Sequence, residues 1–367
     1  MKIAIAHDYL NQYGGAERVV ETIHELFPEA PIFTSIYIKS NMPESFKHMS
    51  IKTSFIQKLP FLKKHFKKYL LFYPKAMQNF NLSNYDIVIS SSSAFAKGII
   101  TGKKTCHICY CYSPMRFVWD YEKYINKEDI NKVILKILPI IIKKLKYWDL
   151  GTNKRVDYFI AISKDIKNRI KRFYNREAAV IYPPVEIEKF RVLNSIGDYF
   201  LIVSRLNSYK NIDLVIKAFN KLKLNIKIVG TGPYKQELEK MSKGNNIEFL
   251  GRVSDDRLVE LYGRCRAFIF PGEEDFGIAP LEAQASGRPV IAYAKRGALE
   301  TVVENTTGIF FKENSVISFS NTIKKFMKME DNFNPKIIRE NALKFDKRIF
   351  KIELEKYIFQ RYKEFKN

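Results

Sequence analysis

The sequence predicts an α/β protein of two domains, each built on a parallel sheet covered by helices on both faces. Three observations carry this: a length of 367 residues, an alternation of short β-rich runs with longer helical patterns, and the repetition of that scheme in both halves. The length exceeds what one hydrophobic core serves. A hydrophobic content of 46% is enough for two. Strands separated by helices form parallel sheets, because each crossover returns the chain to the same end of the sheet.

In the first half, the runs KIAIAHDYL, YDIVISSSS, TCHICYCYS, VDYFIAIS and AAVIYPPV read as strands. In the second, DYFLIVSRL, NIKIVGTG, NIEFLG, CRAFIFPG, PVIAYA and TGIFF do so, with helices expected over Asn211 to Leu222, Tyr234 to Lys243, Asp255 to Gly263 and Pro280 to Ser286. Pro183, Pro184 and the loosely patterned VLNSIGD interrupt the alternation, which puts the domain boundary near residue 195 and the second domain over 196–349. A basic segment, KIELEKYIFQRYKEF, follows Phe350 and is not assignable by periodicity. No repeat of 20 to 50 residues is visible, which excludes solenoids and propellers. Two such domains leave a cleft at the carboxyl ends of their strands, where open α/β sheets bind ligands, so the strand-to-helix loops are where chemistry is expected.

No apolar run approaches the length of a membrane span, and Met1 leads directly into a strand pattern, so a cytoplasmic protein without a signal peptide is expected. Four cysteines in a chain of this length make no disulfide framework. Cys106, Cys109 and Cys111 fall in one strand where Cys106 faces away from the other two, and Cys265 is remote, so they read as small core residues and no metal site is expected.

The net charge of +23 is uneven: residues 1–195 hold 32 Lys and Arg against 17 Asp and Glu, the remainder 30 against 22. Lys52 to Lys75 carries seven lysines and no acid among large apolar residues, and Lys132 to Trp148 carries five lysines, no acid and the run ILKILPIII. Two readings fit these stretches: lysine-faced helices over an ordinary core, or a surface that lies on an anionic membrane. Nucleic-acid binding has only the charge in its favour, with no recognisable motif, and is not expected.

The densest chemical signal is PGEEDFGIAPLEAQASGRPVIA. An apolar strand delivers a Pro-Gly turn, an acidic loop with Glu274, and a helix whose first turn holds Pro280, with Glu282 following. Carboxylates accept hydrogen bonds from vicinal hydroxyls, and a helix N-terminus attracts an anion, so a polyol joined to a phosphate suits the pair. A surface helix with acids near its start is the alternative from these residues alone.

The Glu, seven residues, Glu spacing with its flanking Pro-Gly and Gly-Arg-Pro-Val resembles the nucleotide-sugar signature of the retaining glycosyltransferases of family 4. The resemblance implies the GT-B fold, two Rossmann-like domains with parallel sheets facing a central cleft. It implies that Glu274 contacts the transferred sugar, that the backbone of Phe276, Gly277 and Ile278 holds sugar and phosphate, and that Glu282 holds the ribose. After DYFLIVSRL, Arg205 and Lys210 present two cations suited to a diphosphate, the role this pattern has in the family. IVGTGP, with Gly230 and Gly232, resembles the family's glycine turn near the nucleotide, and FLGRVSDDRL the stretch whose backbone near Val253 meets the base. In HDYLNQYGGAERVVE, Gly14 and Gly15 lie between strand and helix, where backbone N–H groups approach an anion closely. The full Rossmann and Walker patterns are absent.

CYCYSPMRFVWDY resembles the subset of the family that commonly transfers mannose from GDP-mannose in surface polysaccharide assembly. Ser113, Pro114, Arg116, Phe117, Trp119 and Asp120 match that subset, while Tyr112 stands where it usually has histidine. A phenol still forms hydrogen bonds but carries no positive charge near neutral pH. The resemblance further implies a last helix, 350–367, that crosses back to the first domain, a nucleotide-sugar donor, a lipid-linked or glycan acceptor, and a leaving diphosphate stabilised by cations and amides with no metal or cofactor. No Asp-x-Asp motif of the metal-dependent class is present in the sequence. UDP- or dTDP-sugar donors and a sugar-nucleotide epimerase of the same architecture are the alternatives.

Overall fold

The computed structural model describes residues 1–62, 66–121 and 132–367. The chain divides into two compact units, Met1–Pro184 together with Phe350–Asn367, and Val185–Ile349. The division falls at the proline pair and not near residue 195. Residues 185–193 are tied into the second unit: Val185 N–H donates to the Phe345 carbonyl, the Arg339 guanidinium to the Phe190 carbonyl and the Arg288 guanidinium to that of Leu193. The loose pattern of this segment reflects irregular chain held by side chains.

The first unit is a seven-stranded parallel sheet of β1 (Ile3–His7), β2 (Ile32–Thr34), β3 (Ile51–Thr53), β4 (Ile87–Ser92), β5 (Cys106–Cys111), β6 (Tyr158–Ala161) and β7 (Ala178–Val180), in the order β3-β2-β1-β4-β5-β6-β7. β4 and β5 are buried along their whole length, so they read as continuous runs and not as alternation. Cys106, Cys109 and Cys111 are buried free thiols of β5, and burial pushes the Cys106 thiol up to about 12. β2 and β3, three residues each, escaped the sequence pattern.

Helix α1 (Gly15–Leu26) follows β1 and buries Val19, Val20 and Ile23. Beyond Phe350 the last helix belongs to this unit: Lys351 pairs with Glu25 at 2.6 Å, Phe359 meets Phe27 edge-on and Phe350 meets Tyr110 edge-on.

Two buried polar ties hold the middle of this sheet. Asp8, immediately after β1, accepts hydrogen bonds from the backbone N–H groups of Ser93, Ala94, Phe95 and Ala96 at 2.6 to 3.0 Å, so it anchors the loop after β4. Lys97, 2% exposed, donates from Nζ to the Asp149 carbonyl at 2.8 Å and to Thr152 Oγ1 at 2.7 Å, and pairs with Asp149 Oδ1 at 2.8 Å. The indole of Trp119 and the phenol of Tyr174 both donate to Asp149 Oδ2, at 2.7 and 2.8 Å.

The second unit has six parallel strands: β8 (Phe200–Val203), β9 (Ile226–Val229), β10 (Ile247–Gly251), β11 (Phe268–Phe270), β12 (Val290–Tyr293) and β13 (Gly308–Phe311), in the order β10-β9-β8-β11-β12-β13. All six were predicted in place. Phe200, Phe219, Ile228, Ile269, Phe319 and Phe326 lie in its core.

Candidate functional site

The strand order of the second unit reverses between β8 and β11: the chain first builds outward through β9 and β10, then returns to the other side of β8. The loops after these two strands lie at the position where sheets of this kind bind ligands. Lys210 ends a 3-10 turn in the first loop, Ser208–Lys210, and Glu274 lies in the second. Their side chains form an ion pair across the reversal, Lys210 Nζ to Glu274 Oε1, with 12% and 27% of each side chain exposed. Asn211 closes the same junction, its side-chain amide donating to the Pro271 carbonyl at 3.2 Å. Arg205 precedes them in the β8 loop with its side chain exposed.

The glycines of the β9 loop are explained by close packing on that loop. Gly230 has φ +127°, and a Cβ there would collide with the Ser204 carbonyl oxygen; one at Gly232 would collide with that of Leu206. They hold Ser204 to Leu206 in place by contact. Val253, after β10, is half-buried beside Ser254, which caps the helix Asp255–Arg264.

After β11 the chain turns at Gly277, whose φ of +93° starts the helix Ile278–Ala285 and brings it too close to the Phe270 ring for any side chain. Phe276 is buried, with its ring 5.7 Å from that of Phe345, so backbone and not side chain is what this residue offers a ligand. Glu282 is 7% exposed, and its Oε2 accepts from the Tyr262 hydroxyl at 2.8 Å, which fixes the direction of the carboxylate.

In the first unit, Gly14 caps α1 and Gly15 begins it. Tyr112 and Ser113 follow β5; the Tyr112 hydroxyl is hydrogen-bonded to Ser91 and to the Ala16 carbonyl, and the Ser113 hydroxyl to the Pro114 carbonyl. Arg116 and Trp119 begin and end a single helical turn. The Trp119 ring stacks on Phe173 at 4.5 Å with its indole N–H on Asp149, and Asp120 accepts from Arg169 at 2.8 Å.

Residues 186–345 match the family model described as glycosyl transferases group 1, and residues 13–189 match the one described as glycosyltransferase family 4. Each half of the chain is thus similar to its own glycosyltransferase model. An uncharacterized glycosyltransferase of Methanocaldococcus jannaschii, MJ1178, is 29% identical over 211 residues, which is 56% of this chain and 59% of that protein. The O-antigen chain mannosyltransferase RfbU of Salmonella typhimurium is 34% identical over 151 residues, 38% of this chain and 42% of that protein. The chain thus spans less than two thirds of either relative. Anabaena HepE, crystallised with UDP, superposes with a TM-score of 0.74 at 16% identity, covering 98% of this chain and 100% of its own, a likeness of fold. The architecture is GT-B.

The structure brings Lys210 and Glu274 into contact and places Glu282 one turn into the helix that follows, where it accepts from Tyr262. Residues that sequence reading did not single out hold the acidic loop. Arg296, after β12, pairs with Asp275 at 3.0 Å and Glu273 at 3.6 Å, and the next N–H, of Gly297, donates to the Glu274 carbonyl at 3.0 Å. The loop is therefore clamped on both sides of Glu274. A lone Arg-Gly after a strand is no signal by itself, and only the adjacency of β12 to β11 gives it meaning.

Proposed function

We propose that this glycosyltransferase moves a hexose, mannose from GDP-mannose, onto a lipid-linked or glycan acceptor of the kind used in bacterial surface polysaccharide assembly, with retained configuration and no metal. The observation that carries the reading is the Lys210–Glu274 pair at the strand-order reversal, because it sets a cation for a diphosphate against a carboxylate for sugar hydroxyls where α/β sheets bind ligands. Arg205 and Lys210 take the diphosphate, the amides of Phe276, Gly277 and Ile278 the phosphate and sugar, and Glu274 the hydroxyls of the sugar. Glu282 takes the ribose, with Tyr262 orienting it, and the backbone near Val253 meets the base. The Gly14–Gly15 turn adds to the anion site through Gly15, the Gly14 N–H being held by Glu17, and the segment with Tyr112, Ser113, Arg116, Trp119 and Asp120 serves the acceptor side.

The acceptor hydroxyl attacks the anomeric carbon as the bond from that carbon to the diphosphate oxygen breaks, and the departing phosphate takes the hydroxyl proton on the same face. Cations and amides directed at the leaving diphosphate lower the barrier by stabilising the charge that grows there.

Similarity to the mannosyltransferase RfbU and the first-unit motif support mannose; the UDP bound to HepE makes uridine the alternative. A thermal-shift panel of GDP, UDP and dTDP sugars decides. Ligand at a hundredfold excess over Kd adds about 2.7 kcal/mol to the folded state, and GDP-mannose is expected to give the largest shift. A larger shift with a UDP sugar reassigns the donor, and isomerised sugar formed from donor alone assigns the site to an epimerase.

The first unit is further proposed to rest on an anionic cytoplasmic leaflet. Among the described residues no helix is long and apolar enough to cross a membrane. Exposed Phe55, Phe61, Leu71 and Phe72 lie among Lys58, Lys68 and Lys75, and exposed Ile137, Ile140 and Tyr147 among Lys143, Lys144 and Lys146; Lys63 and Lys64 lie outside the described residues. Leu59, Phe66 and Leu70 of the first stretch and Leu138, Ile141 and Trp148 of the second pack on one shared core. Basic and apolar side chains together suit anionic lipid. Flotation is expected with phosphatidylglycerol vesicles and not with phosphatidylcholine vesicles; absence from both removes the membrane partner.

A further inference from the structure

The hydroxyl of Tyr112 is engaged twice. It donates to the backbone carbonyl of Ala16, in the first turn of α1, at 3.0 Å, and Ser91 Oγ lies 2.7 Å away. A phenol has one proton, so the Ser91 hydroxyl is the donor of that second bond. Ser91 Oγ in turn lies 3.0 Å from Nδ1 of His7, which also reaches the Ser91 carbonyl oxygen at 3.1 Å. A carbonyl only accepts, so Nδ1 carries the ring proton. His7 Nε2 faces Glu17 Oε1 at 3.7 Å, and Glu17 Oε2 accepts from the Gly14 N–H at 2.9 Å.

These contacts form one circuit that leaves α1 at Gly14 and re-enters it at Ala16, passing through the ends of β1, β4 and β5. His7, Glu17 and Ser91 are buried, with 3%, 4% and 0% exposed. Burial also pushes the Tyr112 phenol well above its usual range, so it stays protonated and able to donate. The Tyr112 hydroxyl on the Ala16 carbonyl and the Glu17 carboxylate on the Gly14 N–H hold the glycine turn from both of its sides.

We infer that Tyr112 is a positioning residue, which holds the Gly14–Gly15 turn and the first turn of α1 against the sheet, and that its hydroxyl is not a contact for the donor sugar. The tyrosine is needed for reach. An imidazole in its place is shorter and stops short of the Ala16 carbonyl, so the family's usual histidine cannot close this circuit.

The inference is tested first without any ligand, by amide hydrogen exchange. The Arg18 N–H, bonded to the Gly14 carbonyl at 3.0 Å, reports on the turn. Tyr112→Phe keeps the edge-on contact with Tyr110 and removes only the hydroxyl. It is expected to speed exchange at Arg18 about fivefold, with Ser91→Ala doing the same and the double variant adding nothing further. Tyr112→His is expected to match Tyr112→Phe. Unchanged protection in Tyr112→Phe, additive acceleration in the double variant, or protection retained by histidine overturns the inference. A second measurement rests on the transferase reading above: Tyr112→Phe is expected to raise the donor KM by one common factor for every nucleotide sugar accepted. A factor that depends on the sugar overturns the positioning role and gives the hydroxyl a sugar contact. Failure of the wild type to transfer any sugar would count against the proposed function and leave the exchange result standing.

Discussion

Replacing Glu274 with alanine is expected to abolish sugar transfer in a protein that stays folded, and Lys210→Ala to do the same. Each removes one half of a pair that spans the strand-order reversal. Loss of a group that stabilises developing charge or fixes the sugar lowers kcat by about 10²- to 10³-fold. The cost to stability is small, because an ion pair whose members are part-exposed contributes about 1 kcal/mol or less. Glu274→Gln separates the two duties of the carboxylate: the amide still bonds to hydroxyls but no longer neutralises Lys210, and intermediate turnover is expected. Purified variants assayed for transfer, with circular dichroism melts alongside, check this; normal turnover in both alanine variants sinks the site.

The largest effect on stability is expected at Asp149. Truncating it to alanine leaves Lys97 charged in a place with 2% exposure and strips Trp119 and Tyr174 of their shared acceptor. Breaking a buried pair from one side costs about 3 to 5 kcal/mol. Lys97→Met should cost a similar amount, and the double variant Lys97→Met with Asp149→Leu less than the sum, since no lone charge is then buried. Urea melts measure this directly. A loss below about 1 kcal/mol in Asp149→Ala would mean that water reaches the pair.

Legibility followed burial and chain distance. β8, β9, β11 and β12 were plain because strands covered on both faces become apolar runs bounded by turn residues. β2 and β3 carry three residues each, too few to show a period. Lys210 and Glu274 were each visible as a residue type in a loop, but their pairing was not, since it depends on β11 returning beside β8 instead of continuing past β10. Asp8 and Lys97 gave no signal at all. Charged residues flanking strands are ordinarily solvated, and only the fold reveals four backbone amides waiting for one and a carboxylate for the other. Tyr112 stood out as a departure from a motif; its hydrogen-bond partners come from β4 and α1, and local sequence holds no trace of them.

The way the chain leaves the first unit at Pro184 and rejoins it at Phe350 bears on how the protein is made. Val185–Ile349 is continuous, so all of its internal contacts exist as soon as it clears the ribosome. The first unit emerges earlier yet lacks the helix that carries Phe350, Lys351 and Phe359, and the surfaces around Tyr110, Glu25 and Phe27 wait uncovered until residues 350–367 emerge. Synthesis order and completion order are therefore opposite in the two units, and a chain that has emerged only as far as Ile349 would present a finished second unit beside an unfinished first.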